Sequence, residues 1–426
     1  AEQEAAEQMA AKINAATEAA EHMELSQEKG EEVIVEVTVE TRNEVEDRQM
    51  LIEAAKSGDM SKLKFLHEQG ATMTLCDENG WSALHVASDE GKLEAARYLV
   101  DIGNVDLNGV TAESCTPVFA AASRGHAGVV NFLTEKGCDA SIVDVNGCSP
   151  LFAAAAQGHI DIVAALQSHG GDIDDAQSGL TAIYAAASRG DVAVVQQLGE
   201  LGANVNMGSA KGVSPLHVAS KKGFIDVIKV LGTLKADLEA KNQSGATPLH
   251  VAVKTESFEV TKLLIGLGAS VEPQDNNGCS AVFVAASHGL KDIVELLGNH
   301  NADVNTPNAL GWTPIYAASR EGHTEVARCL HALGADINVE NDKGWSPFFA
   351  AVHNKVDAAV LVALKDMGAH INASDIKGWS PLFHAAKWGD AELVKVLLDL
   401  GADKSIANAK GQTPLSVATA ENFDDV

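Results

Sequence analysis

The residues able to do chemistry are numerous but nowhere fall into a working arrangement. Fifteen His, six Cys and 59 acidic residues are spread along 426 positions. His67-Glu68 is followed by Gln-Gly-Ala, so the H-E-x-x-H spacing that sets two imidazoles around zinc on one helix face does not occur. No G-x-x-x-x-G-K-[ST], G-x-G-x-x-G or G-x-S-x-G is present, so no phosphate cradle, dinucleotide turn or nucleophile elbow is written here. Asp144 to Gly147 (DVNG) lacks the early carboxylates of a calcium loop and reads as a turn, where Asn and Gly tolerate positive φ. Cys76, Cys115, Cys138, Cys148, Cys279 and Cys329 form no C-x-x-C pair. Scattered thiols in a long chain fit a reducing compartment, and a cytoplasmic location is the expectation. No catalytic residue, metal ligand or cofactor-binding residue is assigned, and no enzyme activity is expected.

What remains is binding by contact, and its placement depends on a repeat. Ser82, Thr116, Ser149, Thr181, Ser214, Thr247, Ser280, Thr313, Ser346, Ser380 and Thr413 open similar phrases at intervals of 32 to 34 residues. GATPLHVA from Gly245 and GWTPIYAASREGH from Gly311 show the form best. A less regular copy, LIEAAKSGDMSKLKFLHEQGA, precedes them from Leu51. Ser or Thr before Pro suits a helix start, since the hydroxyl accepts an orphan N–H and Pro needs no donor there. A short Ala-rich helix follows, and Gly125, Gly158, Gly190, Gly223, Gly289, Gly322 and Gly389 supply the backbone that ends it. Two copies depart, with Glu256 and Lys355 in that place. A second helix carries apolar pairs such as Val129-Val130 with Leu133, and Gly-Ala-Asp closes it. No unit buries its own apolar face, so units must stack.

The pattern resembles the ankyrin-repeat family over residues 49–426, as about twelve repeats with the last incomplete. The resemblance implies an all-α solenoid of stacked helix pairs with projecting hairpin turns. It also implies a concave groove, lined by hairpins and first helices, that binds a protein partner.

Residues 1–48 do not fit the repeat and form an acidic N-terminal arm. They hold 14 acidic and 4 basic residues. Ala6, Met9, Ile13, Ala16, Ala20 and Met23 recur at coiled-coil spacing, which predicts a helix over 1–25. Val33, Val35, Val37 and Val39 alternate with Ile34, Glu36, Thr38 and Glu40, which predicts a strand over 32–41. Two arrangements satisfy this pattern: a second docking element for a partner, or a helix folded back on the first repeat with a solvated tether.

Two sets of positions stand out as partner contacts. The residue before each opening Ser/Thr is apolar in ten of eleven copies, and it is Trp81, Trp312, Trp345 and Trp379 in four of them. The fifth Trp, Trp388, precedes Gly389 at the end of a first helix. Trp is enriched at binding hot spots, although at this slot it also serves to brace the hairpin. The second set is the pair before each helix-ending Gly. It includes Arg124, Arg189, Lys221, Lys222, Lys254, Arg320 and Lys387 against four acids, in a chain with 31 basic and 59 acidic residues. A locally positive floor in a chain of net charge −28 points to a partner with acidic and apolar surface. The same charge argues against nucleic acid, and no run of eighteen apolar residues occurs to insert in a membrane. The missing initial Met and the shortened last copy fit one alternative, a regulatory segment of a larger enzyme or channel; a separate alternative is an architectural subunit of a large assembly, gripped at many places.

Overall fold

Each repeated phrase becomes a helix pair, beginning at its hydroxyl. The computed structural model describes residues 42–176, 179–423 and 425. Thr116 takes extended backbone and accepts the Phe119 N–H at 3.2 Å, with Pro117 at the first helical position. Ser346 does the same for Phe349 at 3.2 Å. Helix Pro117–Arg124 ends at Gly125, whose φ of 85° is left-handed. A Cβ there would lie 2.7 Å from the ring of His159 in the next repeat, so a side chain is excluded twice over. Glu256 and Lys355 replace that Gly, yet helices Pro248–Lys254 and Pro347–His353 still stop. Both residues take the left-handed conformation, with φ of 59° and 54°. The turn geometry prevails over a residue preference of roughly 1–2 kcal/mol.

Second helices bury one stripe. Ala127–Glu135 covers Val129, Val130 and Leu133, and Ile160–Ser168 covers Ile162, Val163 and Leu166. These i, i+1, i+4 sets share one helix face. The first helices are enclosed more fully, and small Ala side chains such as Ala120, Ala121 and Ala122 let neighbouring backbones approach.

The chain forms two compact units, Ala1–Ala210 and Lys211–Val426. The described part of the first holds five helix pairs, from Arg42–Ser57 with Met60–Glu68 to Ala182–Arg189 with Val192–Glu200. The second holds six, from Pro215–Lys222 with Ile225–Thr233 to Pro381–Lys387 with Ala391–Asp399, and then the single helix Pro414–Ala420. Within each unit, first helices pack on first helices and second on second. On the single helix, Leu415 is 68% exposed, whereas Leu382 at the equivalent position is 2% exposed beneath a following repeat. Among the described residues there is no strand, and hairpins are closed by backbone bonds such as Asn341 N–H to Trp345 carbonyl at 3.1 Å.

Helix Arg42–Ser57 starts before residue 49, where the repeat phrase first becomes readable. The helix expected over 1–25 and the strand expected over 32–41 lie outside the described residues.

The His of T-P-L-H ties one repeat to the next. His85, His217 and His250 are buried. In His250, Nδ1 accepts the Thr247 N–H at 3.3 Å, and Nε2 reaches the Cys279 carbonyl of the next repeat at 3.0 Å. His85 reaches the Gly109 and Cys115 carbonyls at 3.0 and 3.1 Å. Burial lowers the pKa of His85 and His250, which keeps them neutral in this role.

Candidate functional site

The hairpins that carry Trp are built by one polar side chain each. Asn341 Oδ1 accepts the N–H of Lys343 at 2.9 Å and of Trp345 at 3.0 Å. Asp375 Oδ1 accepts from Lys377 and Trp379, both at 2.9 Å. Asn308 serves Leu310 and Trp312 in the same way, at 2.9 and 3.0 Å. Each of these turns places Gly just before the indole: Gly344 has a φ of 74°, and its missing Cβ would lie 3.0 Å from the Ile376 nitrogen. The tip of one hairpin is bonded to the next, Ile376 N–H to Lys343 carbonyl at 3.1 Å and Ala409 N–H to Lys377 carbonyl at 3.3 Å.

Each indole then lies on the aromatic four residues later in its own repeat. Trp312 stacks on Tyr316 at 5.3 Å between ring centres, Trp345 on Phe349 at 5.0 Å and Trp379 on Phe383 at 5.4 Å. Tyr316, Phe349 and Phe383 are at most 2% exposed, while the three indoles remain half-buried. The rings therefore brace the hairpin with one face and keep part of the other accessible. Trp81, in the first unit, meets His85 edge-on at 5.9 Å.

Three of the indoles join a larger aromatic patch. His353 lies 4.4 Å from Trp345 and 5.3 Å from Trp388. His384 lies 5.1 Å from Trp379 and 5.3 Å from Trp388. The patch thus runs Trp345, His353, Trp388, His384, Trp379. Burial pushes the His384 pKa down to about 4, and Asp375 opposes this only in part. Partial cover by the rings, with Arg320 and Lys343 nearby, also lowers His353. Both imidazoles are neutral near pH 7 and act there as ring surface.

Cations sit over these rings. Lys387 Nζ is 4.2 Å and Lys377 Nζ 5.3 Å from the centre of Trp379. Lys343 Nζ is 5.6 Å from Trp345, Lys355 Nζ 5.6 Å from Trp388, and the Arg320 guanidinium 5.1 Å from Trp312. Each contact contributes about 0.5–1 kcal/mol at an exposed site. Lys355 pairs with Asp390 at 3.0 Å and Arg320 with Glu321 at 2.9 Å. Among the described residues, Lys343, Lys377 and Lys387 form no ion pair with a carboxylate.

The structure thus brings together Trp312, Trp345, Trp379, Trp388, Arg320 and Lys387 from the two sets read in sequence, all within the second unit. Lys221 and Lys222 are exposed at the end of Pro215–Lys222. Arg124 and Arg189 are tied to the preceding repeat. Arg124 Nε bonds Asp89 at 3.0 Å, and Arg189 Nη1 bonds the Ala156 carbonyl at 3.1 Å. Lys343, Lys355, Lys377 and His384 belong to the patch but were not among the residues singled out. The Lys-Gly-Trp triplet, written at 343–345 and again at 377–379, is the signal that points to two of them.

Stacked helix pairs with aromatic, cation-bearing hairpins define a repeat protein of the protein-interaction class. The chain belongs to the ankyrin-repeat family: the family described as "Ankyrin repeats (3 copies)" matches residues 18–111, 51–144, 104–177, 151–242, 216–308, 300–375 and 359–426. A segment of 55 residues is 46% identical to an L-asparaginase of Dirofilaria immitis, covering 13% of this chain and 9% of that one. Another of 88 residues is 31% identical to Ankyrin repeat and SOCS box protein 3 of Bos taurus, covering 20% and 17%. A third of 90 residues is 34% identical to 26S proteasome non-ATPase regulatory subunit 10 of Dictyostelium discoideum, covering 21% and 39%. The matches thus span well under half of these relatives. The solved ankyrin repeat domain of human ASB11 is 33% identical with a TM-score of 0.47, covering 52% of this chain and 98% of that domain. Ankyrin repeats are protein–protein interaction modules. No helix among the described residues is long and apolar enough to cross a membrane.

Proposed function

We propose that this chain is a non-enzymatic scaffold that holds a protein partner along the hairpin and first-helix face of residues 211–426. The contact surface is Trp312, Trp345, Trp379 and Trp388 with their cations, and the acidic N-terminal arm is a second docking element. One observation carries the reading. Half-buried indoles in three consecutive repeats, with ammonium groups above two of them that form no ion pair among the described residues, occur in a chain of net charge −28. Indoles that only braced a hairpin would need no cations above them, and the cations favour an acidic partner. The six free cysteines support a reducing intracellular compartment.

The test is capture of partners from a lysate by the wild-type chain and by a Trp312/Trp345/Trp379→Phe variant, with helicity and unfolding midpoint compared. Phe keeps a ring on the core aromatic but removes most of the exposed indole. Selective loss of the same partners at unchanged fold supports the reading, and equal recovery rejects it.

A second reading rests on the relatives. The matches to L-asparaginase and to diacylglycerol kinase zeta of Rattus norvegicus cover 9% and 10% of those chains. This supports a regulatory segment of a larger enzyme, in which the same face would hold a domain of its own polypeptide. The match to a proteasome subunit supports, in the same measure, a place in a large assembly.

A further inference from the structure

The hairpin tips present a row of cations with a defined repeat. Lys343, Lys377 and Lys410 occupy equivalent positions in three consecutive repeats, each bonded through its own N–H to the turn-forming Asn341, Asp375 or Asn408 at 2.9 Å. All three are exposed, and among the described residues none forms an ion pair with a carboxylate. The tip-to-tip backbone bonds hold neighbouring lysines one repeat apart, a spacing of about 8–10 Å for packed helix layers. Beside the row, in the first two of these repeats, lie the accessible parts of Trp345 and Trp379, and Gln412 takes that position in the third.

A ligand that satisfies every lysine must offer a carboxylate at the same interval. In a β-strand, residues on one face recur every ~6.6 Å, and i, i+3 neighbours point to opposite faces. An α-helix offers ~5.4 Å per turn. A polyproline II segment has three residues per turn and a rise of ~3.1 Å, so every third side chain returns to one edge after ~9.3 Å. Its rigid, low-entropy backbone also suits aromatic surfaces, where Pro rings lie against indoles.

We infer that this face recognises an acidic, proline-containing segment of a partner protein in the polyproline II conformation, with a carboxylate at every third residue. Carboxylates meet Lys343, Lys377 and Lys410, while the intervening Pro and apolar side chains lie on Trp345 and Trp379. The inference rests on the protein-binding reading above and specifies the ligand of that same site. Residues 1–41 of the chain contain no Pro; they carry Glu18, Glu21 and Glu24 at intervals of three and Glu28, Glu32, Glu36 and Glu40 at intervals of four. The arm therefore offers the carboxylate register over 18–24 but no proline to lie on the indoles.

The probe is a fluorescein-labelled synthetic peptide of Glu-Pro-Leu triplets, titrated against the full chain by anisotropy at low and high salt. The comparators are a peptide of the same composition with its Glu residues contiguous and a peptide of residues 16–40. We expect the triplet peptide to bind about tenfold more tightly than either, with affinity falling as salt rises. A Lys343/Lys377/Lys410→Ser variant, changed only at exposed tips, should lose about tenfold in affinity, and Lys→Arg at the same positions should restore it. Equal binding of the contiguous peptide overturns the register, and tighter binding of 16–40 makes the chain's own arm the occupant. If no acidic peptide binds while partner capture still depends on the indoles, this inference fails and the protein-binding reading stands. If capture is also insensitive to the indoles, the reading itself falls.

Discussion

His384 Nε2 lies 3.8 Å from Asp375 Oδ2, with both side chains less than 10% exposed, too far apart for a hydrogen bond and close enough for the carboxylate to be felt. Asp375 spends its other oxygen on the Lys377 and Trp379 N–H groups. The hairpin that presents Trp379 and the imidazole beneath it therefore share one carboxylate.

That relationship predicts acid sensitivity. Burial holds His384 down to about 4 from an ordinary 6.5, with Asp375 opposing and His353 and Lys387 adding to the shift. Between these values the unfolded chain binds the proton and the folded chain does not, so stability falls as pH drops through the window. His85, His250 and His353 shift in the same direction. A His384→Phe variant should retain a fall in urea midpoint on acidification, but a shallower one than wild type. Parallel falls in the two proteins would show that His384 does not titrate this way.

Trp345 should matter to stability as well as to binding, because it stacks on Phe349 at 5.0 Å. Trp345→Ala should cost about 2 kcal/mol, below the ~3–5 of a fully buried Trp because part of the ring is solvated. Trp345→Phe should cost less than about 1 kcal/mol. Urea unfolding of both variants checks the order, and equal losses would mean that the stack contributes nothing.

Glu256 holds a left-handed φ of 59° where most copies have Gly. Relief of roughly 1–2 kcal/mol of strain, less the ~0.5–1 that Gly costs in unfolded-chain entropy, favours Glu256→Gly by about 0.5–1 kcal/mol. Lys355→Gly should gain less, since Lys355 also pairs with Asp390 at 3.0 Å. A drop in unfolding temperature for Glu256→Gly would count against the strain.

His250→Ala removes the bond to the Cys279 carbonyl of the next repeat and the bond from Thr247 in its own, and leaves a cavity, a loss of about 2–4 kcal/mol. Phe occupies this slot in other copies, and the Cys279 carbonyl also accepts the Asp275 N–H at 3.0 Å. His250→Phe should therefore cost only about 1 kcal/mol. Denaturant unfolding of the pair separates the bonding role from the packing role.

The repeat itself was legible from residue types. Thr116 and Ser346 announce helix starts and Gly125 announces an end, because capping and positive φ are local demands that one residue meets. The same locality let Trp312, Trp345 and Trp379 be read as one row. What each row member touches was not legible. Trp345 meets His353 from its own repeat and His384 from the next, and Lys355 reaches Trp388 across 33 residues. Arg124 and Arg189 have the same local signature as Arg320, yet they bond the preceding repeat while Arg320 lies over an indole. Helix ends are decided by backbone torsions within a turn, so the sequence carries them. The partners of a long cationic side chain are decided by which residues the neighbouring repeat sets within reach, and only stacking determines that.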